Sequence, residues 1–260
     1  MRLESPLGVL TPLGFGFRSG AASPIELPSH PAPLLLYQHL GLGDHILCNA
    51  MVREIAGATD SVTLLVKSPN VRSVSYMFRD VPNVTVLPVS SDREASRHVR
   101  GWKRRGLKVM LNGMHDRRRW KAEWGQQFDE AFYRMANVPI EYRWSKFSVP
   151  SDKEAEQRIF EKLVRRVPYL FVHDDVQRGF TIASHRLPAD LPVIRPEAGL
   201  TDIIFHYKKV IEGAAEVHCI SSSFAHWIEN AELGGRRFLH KYARQDGTWC
   251  TFRNFTVLES

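Results

Sequence analysis

The chain has 260 residues, of which 43% are hydrophobic and 24% charged, with three cysteines and a net charge of +7. These values exclude wholesale disorder, a collagen-like or coiled-coil rod, and a small domain built on disulfides. The charge is concentrated: between Arg93 and Lys121 stand eleven Lys or Arg against two acids, a local +9 that leaves −2 for the rest.

Residues 1–32 are rich in Pro, Gly and Ser and follow no steady period, so they read as an irregular lead-in. The opening MRLESPLGVLTPLGFGF has neither a continuous apolar core nor a clear cleavage site and is not read as a signal peptide. No apolar run approaches the roughly 20 residues that a membrane-spanning helix needs. Cys48, Cys219 and Cys250 form no CxxC pair, so a reducing compartment is the default. The expectation is a cytoplasmic protein, with peripheral contact at the inner membrane face left open.

Regular structure is expected from Pro33. LLLYQHL is a short apolar strand that runs into Gly41-Leu42-Gly43-Asp44. Ile46, Leu47, Ala50, Met51 and Ile55 then recur at helical spacing. SVTLLVKS is a second strand, 71–78 a short helix, NVTVLPV a third strand, 93–106 a basic helix, and LKVMLNG a fourth strand. An amphipathic helix over 125–143 turns at Pro139, and WSKFSVPSD resembles a linker. Ser151 with Glu154 fits a capping box that opens a helix over 152–166. The alternation then repeats. PYLFVHDD and LPVIRPE are strands, 201–214 is a helix, EVHCIS is a strand running into the helix SSSFAHWIENAEL, and RRFLHKYA is the last core strand. Strands alternating with helices predict parallel α/β structure. The division expected is an irregular segment over 1–32 and two Rossmann-like halves, 33–145 and 146–260.

In open α/β sheets, ligands bind beyond the carboxyl ends of the strands. Gly41, Gly43 and Asp44 occupy one such end. The glycines let the backbone approach a ligand closely, and the carboxylate either caps the helix or takes a proton from a hydroxyl. A dinucleotide fingerprint would carry glycine where Ile46 stands. His173, Asp174, Asp175 and Arg178 follow another strand. Arg178 can fork onto a pyrophosphate, or pair locally with an aspartate in a surface turn. Ser221, Ser222 and Ser223 open a helix, where hydroxyls and unsatisfied N–H groups make a phosphate cradle. No GxSxG elbow surrounds them, so a hydrolase nucleophile is not expected, and His226 reads as an ordinary helix residue. Glu197 follows a further strand, either holding a ribose or lying in an exposed turn. Eleven scattered histidines show no HExxH or HxH pattern, so no metal site is expected. Asp174 and Asp175 offer only a carboxylate pair that Mg²⁺ could bridge to phosphates. His218 and Cys219 read as core.

The two-half layout resembles the GT-B glycosyltransferase architecture. LYQHLGLGDHILCNAMVREI, with Arg53 closing its helix, is similar to the opening of the heptosyltransferase-like family. VHCISSSFAHWIENA resembles the late strand and helix of that family. It also looks like the SSFSWW-type segment of bacterial fucosyltransferases, with HDDVQRGF a weaker echo of their HxRRGD strand end. The proline often found in the first helix of the family is replaced here by Asn49 and Ala50. The resemblance implies transfer of a sugar from a nucleotide-diphosphate donor to an acceptor hydroxyl, with no cofactor and no metal, in surface polysaccharide or glycolipid synthesis. It implies Asp44 as general base and Arg178 as the charge opposite the leaving group. Gly41, Gly43, His173, Glu197, Ser221, Ser222 and Ser223 would be the donor-side residues. The partners implied are a nucleotide sugar and a saccharide or glycolipid acceptor, with Arg117, Arg118 and Arg119 as an acceptor or anion patch. Three other readings stand beside it: another nucleotide-dependent enzyme (oxidoreductase or epimerase), an inactive scaffold, and a nucleic-acid-binding protein that stacks bases on Trp102 and Trp120.

Overall fold

The computed structural model describes residues 32–123, 127–244 and 250–259. Of the lead-in expected over 1–32, all but Ala32 lies outside the described residues.

The first sheet holds β1 (Pro33–Tyr37), β2 (Ser61–Lys67), β3 (Val84–Val89) and β4 (Lys108–Leu111), all parallel, in the order β3-β2-β1-β4. Leu34 to Tyr37 are all buried. A central parallel strand is covered on both faces, which is why LLLY reads as a continuous apolar run. Leu34 and Leu36 pack with Ile46, Met51 and Ile55 on one face. Leu35 and Tyr37 pack with Ala95 and Val99 on the other.

The second sheet holds β5 (Leu170–His173), β6 (Val193–Ile194), β7 (Glu216–Cys219), β8 (Arg236–His240) and β9 (Thr256–Leu258), again all parallel, in the order β6-β5-β7-β8-β9. β9 corrects the expectation that RRFLHKYA ends the sheet. Its three residues are too few to show a period, and it adds at the edge through the register Phe238↔Thr256. His218 and Cys219 are buried on β7, as expected.

The helices are α1 (Leu42–Leu47), α2 (Asn49–Gly57), α3 (Val71–Met77), α4 (Asp92–Arg104), α5 (Arg117–Ala122), α6 (Phe128–Met135), α7 (Tyr142–Ser145), α8 (Lys153–Leu163), α9 (Lys208–Glu212) and α10 (Ser223–Ala231). Three expectations are corrected. The helix after Asp44 is interrupted at Cys48, where φ is −88° and ψ is 6°. The cap of α8 is Asp152, which accepts from the Ala155 N–H at 3.0 Å, while Glu156 rather than Glu154 accepts from the Asp152 N–H at 3.1 Å. That helix also stops at Leu163, three residues short of the expected end. The helix expected over 201–214 is a 3₁₀ turn (Ile204–Tyr207) followed by α9. Thr201 Oγ1 accepts the Ile203 N–H at 3.1 Å, a local bond that competes with helix initiation.

The two halves meet along α1 and α10 and share one continuous core, in which Leu36 and Ile46 lie in the same cluster as Trp227 and Ile228. Asn230 on α10 donates to the Ile46 carbonyl at 3.1 Å. Beneath α10, the fully buried Arg143 on α7 pairs with the fully buried Asp129 on α6. Arg143 also donates through Nε to Asn230 Oδ1 at 2.7 Å and through Nη1 to the Thr251 carbonyl at 2.9 Å. Residues 251–254 thus lie against both halves. Thr251 N–H donates to Asp129 at 3.1 Å, and Arg253 and Asn254 N–H donate to Glu229 at 2.8 and 3.0 Å. Among the described residues, no helix is long and apolar enough to cross a membrane.

Candidate active site

Each sheet has a point where the strand order reverses, between β1 and β4 in the first and between β5 and β7 in the second. Crevices form outside the strand ends at such points. β1 delivers the Gly41–Asp44 turn to the first crevice, and β5 and β7 deliver Arg178 and Ser221–Ser223 to the second. The crevices open into one cleft of about 840 Å³ that includes Gly41, Gly43, Asp44, Arg178, Ser221, Ser222 and Ser223 in its walls.

The two glycines have separate jobs. A Cβ on Gly41 would lie 2.6 Å from Asp44 Oδ2. Glycine there lets the carboxylate fold back onto the Gly41 N–H, which it accepts. This is the acidic half of a capping box, so Asp44 caps α1 and still lines the cleft. A Cβ on Gly43 would lie 3.1 Å from His226 Cδ2 and 3.8 Å from the Ser223 Cα. Glycine there lets the first turns of α1 and α10 touch. The carboxylate turn and the serine turn are therefore held side by side by direct packing.

Burial raises the Asp44 pKa to about 6, against the opposing pull of the backbone N–H groups it accepts. Its side chain is 23% exposed, so one face remains open to the cleft. His39 Nδ1 lies 3.9 Å from Asp44 Oδ1. His39 Nε2 accepts from the Met114 N–H at 3.0 Å, which leaves the ring proton on Nδ1, facing the carboxylate. Burial, then the nearby His115, lowers the His39 pKa to about 4, so the ring is neutral at pH 7. His39 packs against Phe128, Phe132 and Trp120. With Leu42 and Met114, His39, Phe128 and Trp120 form the apolar side of the cleft.

The opposite side is polar. Ser222 caps α10, accepting from the Ala225 N–H at 3.3 Å, and its hydroxyl is 3.0 Å from His173 Nδ1. His173 is not in the cleft wall; it holds the Ser222 hydroxyl from behind. Burial lowers its pKa to about 4. The first-turn N–H groups of Ser223 and Phe224 have no intrahelical acceptor and point out of the helix end. Arg178 reaches the cleft while paired with Asp175, its Nε 2.5 Å from Oδ2. The local Asp–Arg pair is thus formed, and Arg178 still lines the cleft. Arg244 donates to the Ser221 carbonyl at 2.8 Å and brings a second guanidinium to the serine turn.

Some expected residues lie elsewhere. Glu197 is exposed beyond β6, one strand outward from β5, and does not line the cleft. Arg117 and Arg118 are exposed on α5 outside the cleft, and Arg119 is half-buried behind it. Asp174 accepts from the Ile182 N–H at 3.3 Å and pairs with Arg195, so it organises the β5 loop. Among the described residues, no three His, Cys, Asp or Glu side chains are grouped as a metal ion would need. Sequence reasoning missed His39, Phe128 and Arg244, read His226 as an ordinary helix residue and considered Trp120 only as a base-stacking ring. His226 carried one signal, its place three residues after Ser223 and so on the same helix face.

No protein-family model matches the sequence, and no curated protein does. Among solved structures, the chain is similar to one described as the glycosyl transferase family 9 from Veillonella parvula DSM 2008. The TM-score is 0.54 at 9% identity, over 88% of this chain and 86% of that one. This likeness carries the fold. The chain has a GT-B-like architecture, two Rossmann-like halves facing across a cleft.

Proposed function

We propose that the protein is a glycosyltransferase that moves a sugar from a nucleotide-diphosphate donor to a hydroxyl of a saccharide or glycolipid acceptor. The setting inferred is surface polysaccharide or glycolipid synthesis in the cytoplasm. Asp44 takes the proton of the acceptor hydroxyl. The acceptor oxygen bonds to the anomeric carbon as the bond from that carbon to the diphosphate oxygen breaks. The leaving diphosphate is met by the Ser222 hydroxyl, the first-turn N–H groups of α10, Arg178 and Arg244. In this reading the guanidinium groups supply the charge that a metal supplies in other transferases. The acceptor sugar lies on the apolar side, over Trp120 and Phe128. Glu197 serves the donor only where the nucleotide extends across β6.

The observation that carries the reading is the contact at Gly43. It sets a carboxylate with a raised pKa and an anion cradle side by side on one cleft. The solved neighbour named as a glycosyl transferase shares the fold around that cleft. A dinucleotide enzyme is disfavoured because Ile46, where the third glycine would stand, is fully buried in the core. The test is a thermal-shift panel of UDP-, GDP-, ADP-, CMP- and TDP-linked sugars, beside NAD(H) and single-stranded DNA, each with and without EDTA. One nucleotide sugar should raise the melting temperature regardless of EDTA. Asp44→Asn should keep that shift while turnover falls roughly 10²- to 10⁴-fold. A shift with NAD(H) alone, or unchanged turnover in the variant, would sink the reading.

A further inference from the structure

The concentrated charge finds no use in the cleft. Ten of the eleven Lys and Arg between Arg93 and Lys121 are exposed, on α4, β4, α5 and the turn after α4. None of the ten forms an ion pair among the described residues. Along α4, Arg93, Arg97, Arg100 and Arg104 recur at spacings of four, three and four, so they stack on one face. The opposite face packs Ala95 and Val99 into the core. A solvated helix face usually interleaves acids, because like charges at these spacings repel. Here no acid interrupts the stripe, although Glu94, on the flank of the helix, acts on Arg97.

The start of α4 lies near the cleft mouth. Tyr37 donates to Asp92 in the first turn of α4 at 3.0 Å and stacks on His115, just before α5, at 3.8 Å between ring centroids. Next to His115, Met114 is 54% exposed at the rim of the cleft. A basic helix face with an exposed apolar side chain nearby matches the headgroup layer of an anionic bilayer, which offers phosphates outside and acyl chains beneath. The aromatic rings disfavour nucleic acid. Trp102 packs inward against the core of the first sheet, and Trp120 faces the cleft beside His39 and Phe128, so neither ring lies on the arginine stripe of α4.

We infer that the basic face of α4 docks on an anionic phospholipid bilayer and sets the acceptor side of the cleft near the membrane surface. The docking stands on the surface itself. Its use, to bring a lipid-linked acceptor to Asp44, rests on the sugar-transfer reading.

The experiment is co-sedimentation of the full chain with vesicles of phosphatidylcholine alone or mixed with phosphatidylglycerol. Binding should require phosphatidylglycerol and fall steeply with salt. The Arg97→Glu/Arg100→Glu/Arg104→Glu variant should lose at least roughly a hundredfold in vesicle affinity. Its melting temperature and its shift with the donor nucleotide should stay as in the parent. Should that variant not fold, Arg97→Gln/Arg100→Gln/Arg104→Gln replaces it. Equal binding to both vesicles, full binding by the folded variant, or displacement from vesicles by single-stranded DNA bound more tightly at the same ionic strength would each overturn the inference. The nucleotide shift is read separately, so failure of the surface and failure of the transferase reading give different results.

Discussion

Asp44 joins two demands on one carboxylate. It closes the first turn of α1 through the Gly41 N–H, and it sits in surroundings that raise its pKa to about 6. In the proposed role of base, Asp44 must be ionised to act, so turnover should rise through pH 6 and level off above it. That limb should disappear from the residual rate of Asp44→Asn. Stability runs the other way. The folded carboxyl holds its proton at pH values where the unfolded one has already lost it. The native state therefore loses stability as pH rises from about 4 to 6 and stays penalised above. Asp44→Asn removes that penalty, by roughly 2–3 kcal/mol at pH 7.5. Calorimetry should find the variant melting higher than the parent at pH 7.5, with the gap closing below pH 4. A variant that melts lower at both pH values would show that the cap outweighs the burial.

At the scale of elements, the cleft depends on two helix ends that touch. Gly43→Ala places a methyl group 3.1 Å from His226 and 3.8 Å from the backbone of Ser223. The His226 ring, or the first turns of α1 and α10, must then give by a few tenths of an ångström. The nucleotide-induced shift should shrink in that variant, while far-ultraviolet circular dichroism stays that of the parent. Unchanged nucleotide binding would show that the contact does not position the cradle. Much of this was legible in the sequence. Glycines before a helix, serines opening another and the LLLY and LFVH strands each obey a local rule, so their elements form where expected. His39 and Arg244 were not legible. Each follows a strand end by a distance that only the fold can set, and each borrows its role from a distant partner, the Met114 N–H or the Ser221 carbonyl. The break at Cys48 and the edge strand β9 were hidden for a similar reason. Tertiary packing decides them, and no window of apolar residues carries the signal.

The whole molecule is held at the seam by a buried ion pair, Arg143 with Asp129, whose remaining bonds go to Asn230 and Thr251. Replacing such a pair with apolar groups is often neutral, but removing one partner strands the other charge. Arg143→Met should therefore cost roughly 3–5 kcal/mol, read as a lower midpoint in urea. Arg143→Met/Asp129→Leu should recover part of that loss. A single variant as stable as the parent would show that the pair does not hold the seam.

The same seam orders events during synthesis. Thr251, Arg253 and Asn254 are made after every residue that they clamp, yet they satisfy Asp129 and Glu229, buried carboxylates that lie 122 and 24 or more positions upstream. While the ribosome is still adding those residues, both carboxylates lack their backbone donors. The first sheet can assemble as it emerges, but the cleft between the halves is set only once the stretch through Asn254 has left the exit tunnel. Nascent chains stalled before Thr251 should therefore expose the seam to protease, and chains released after Asn254 should protect it.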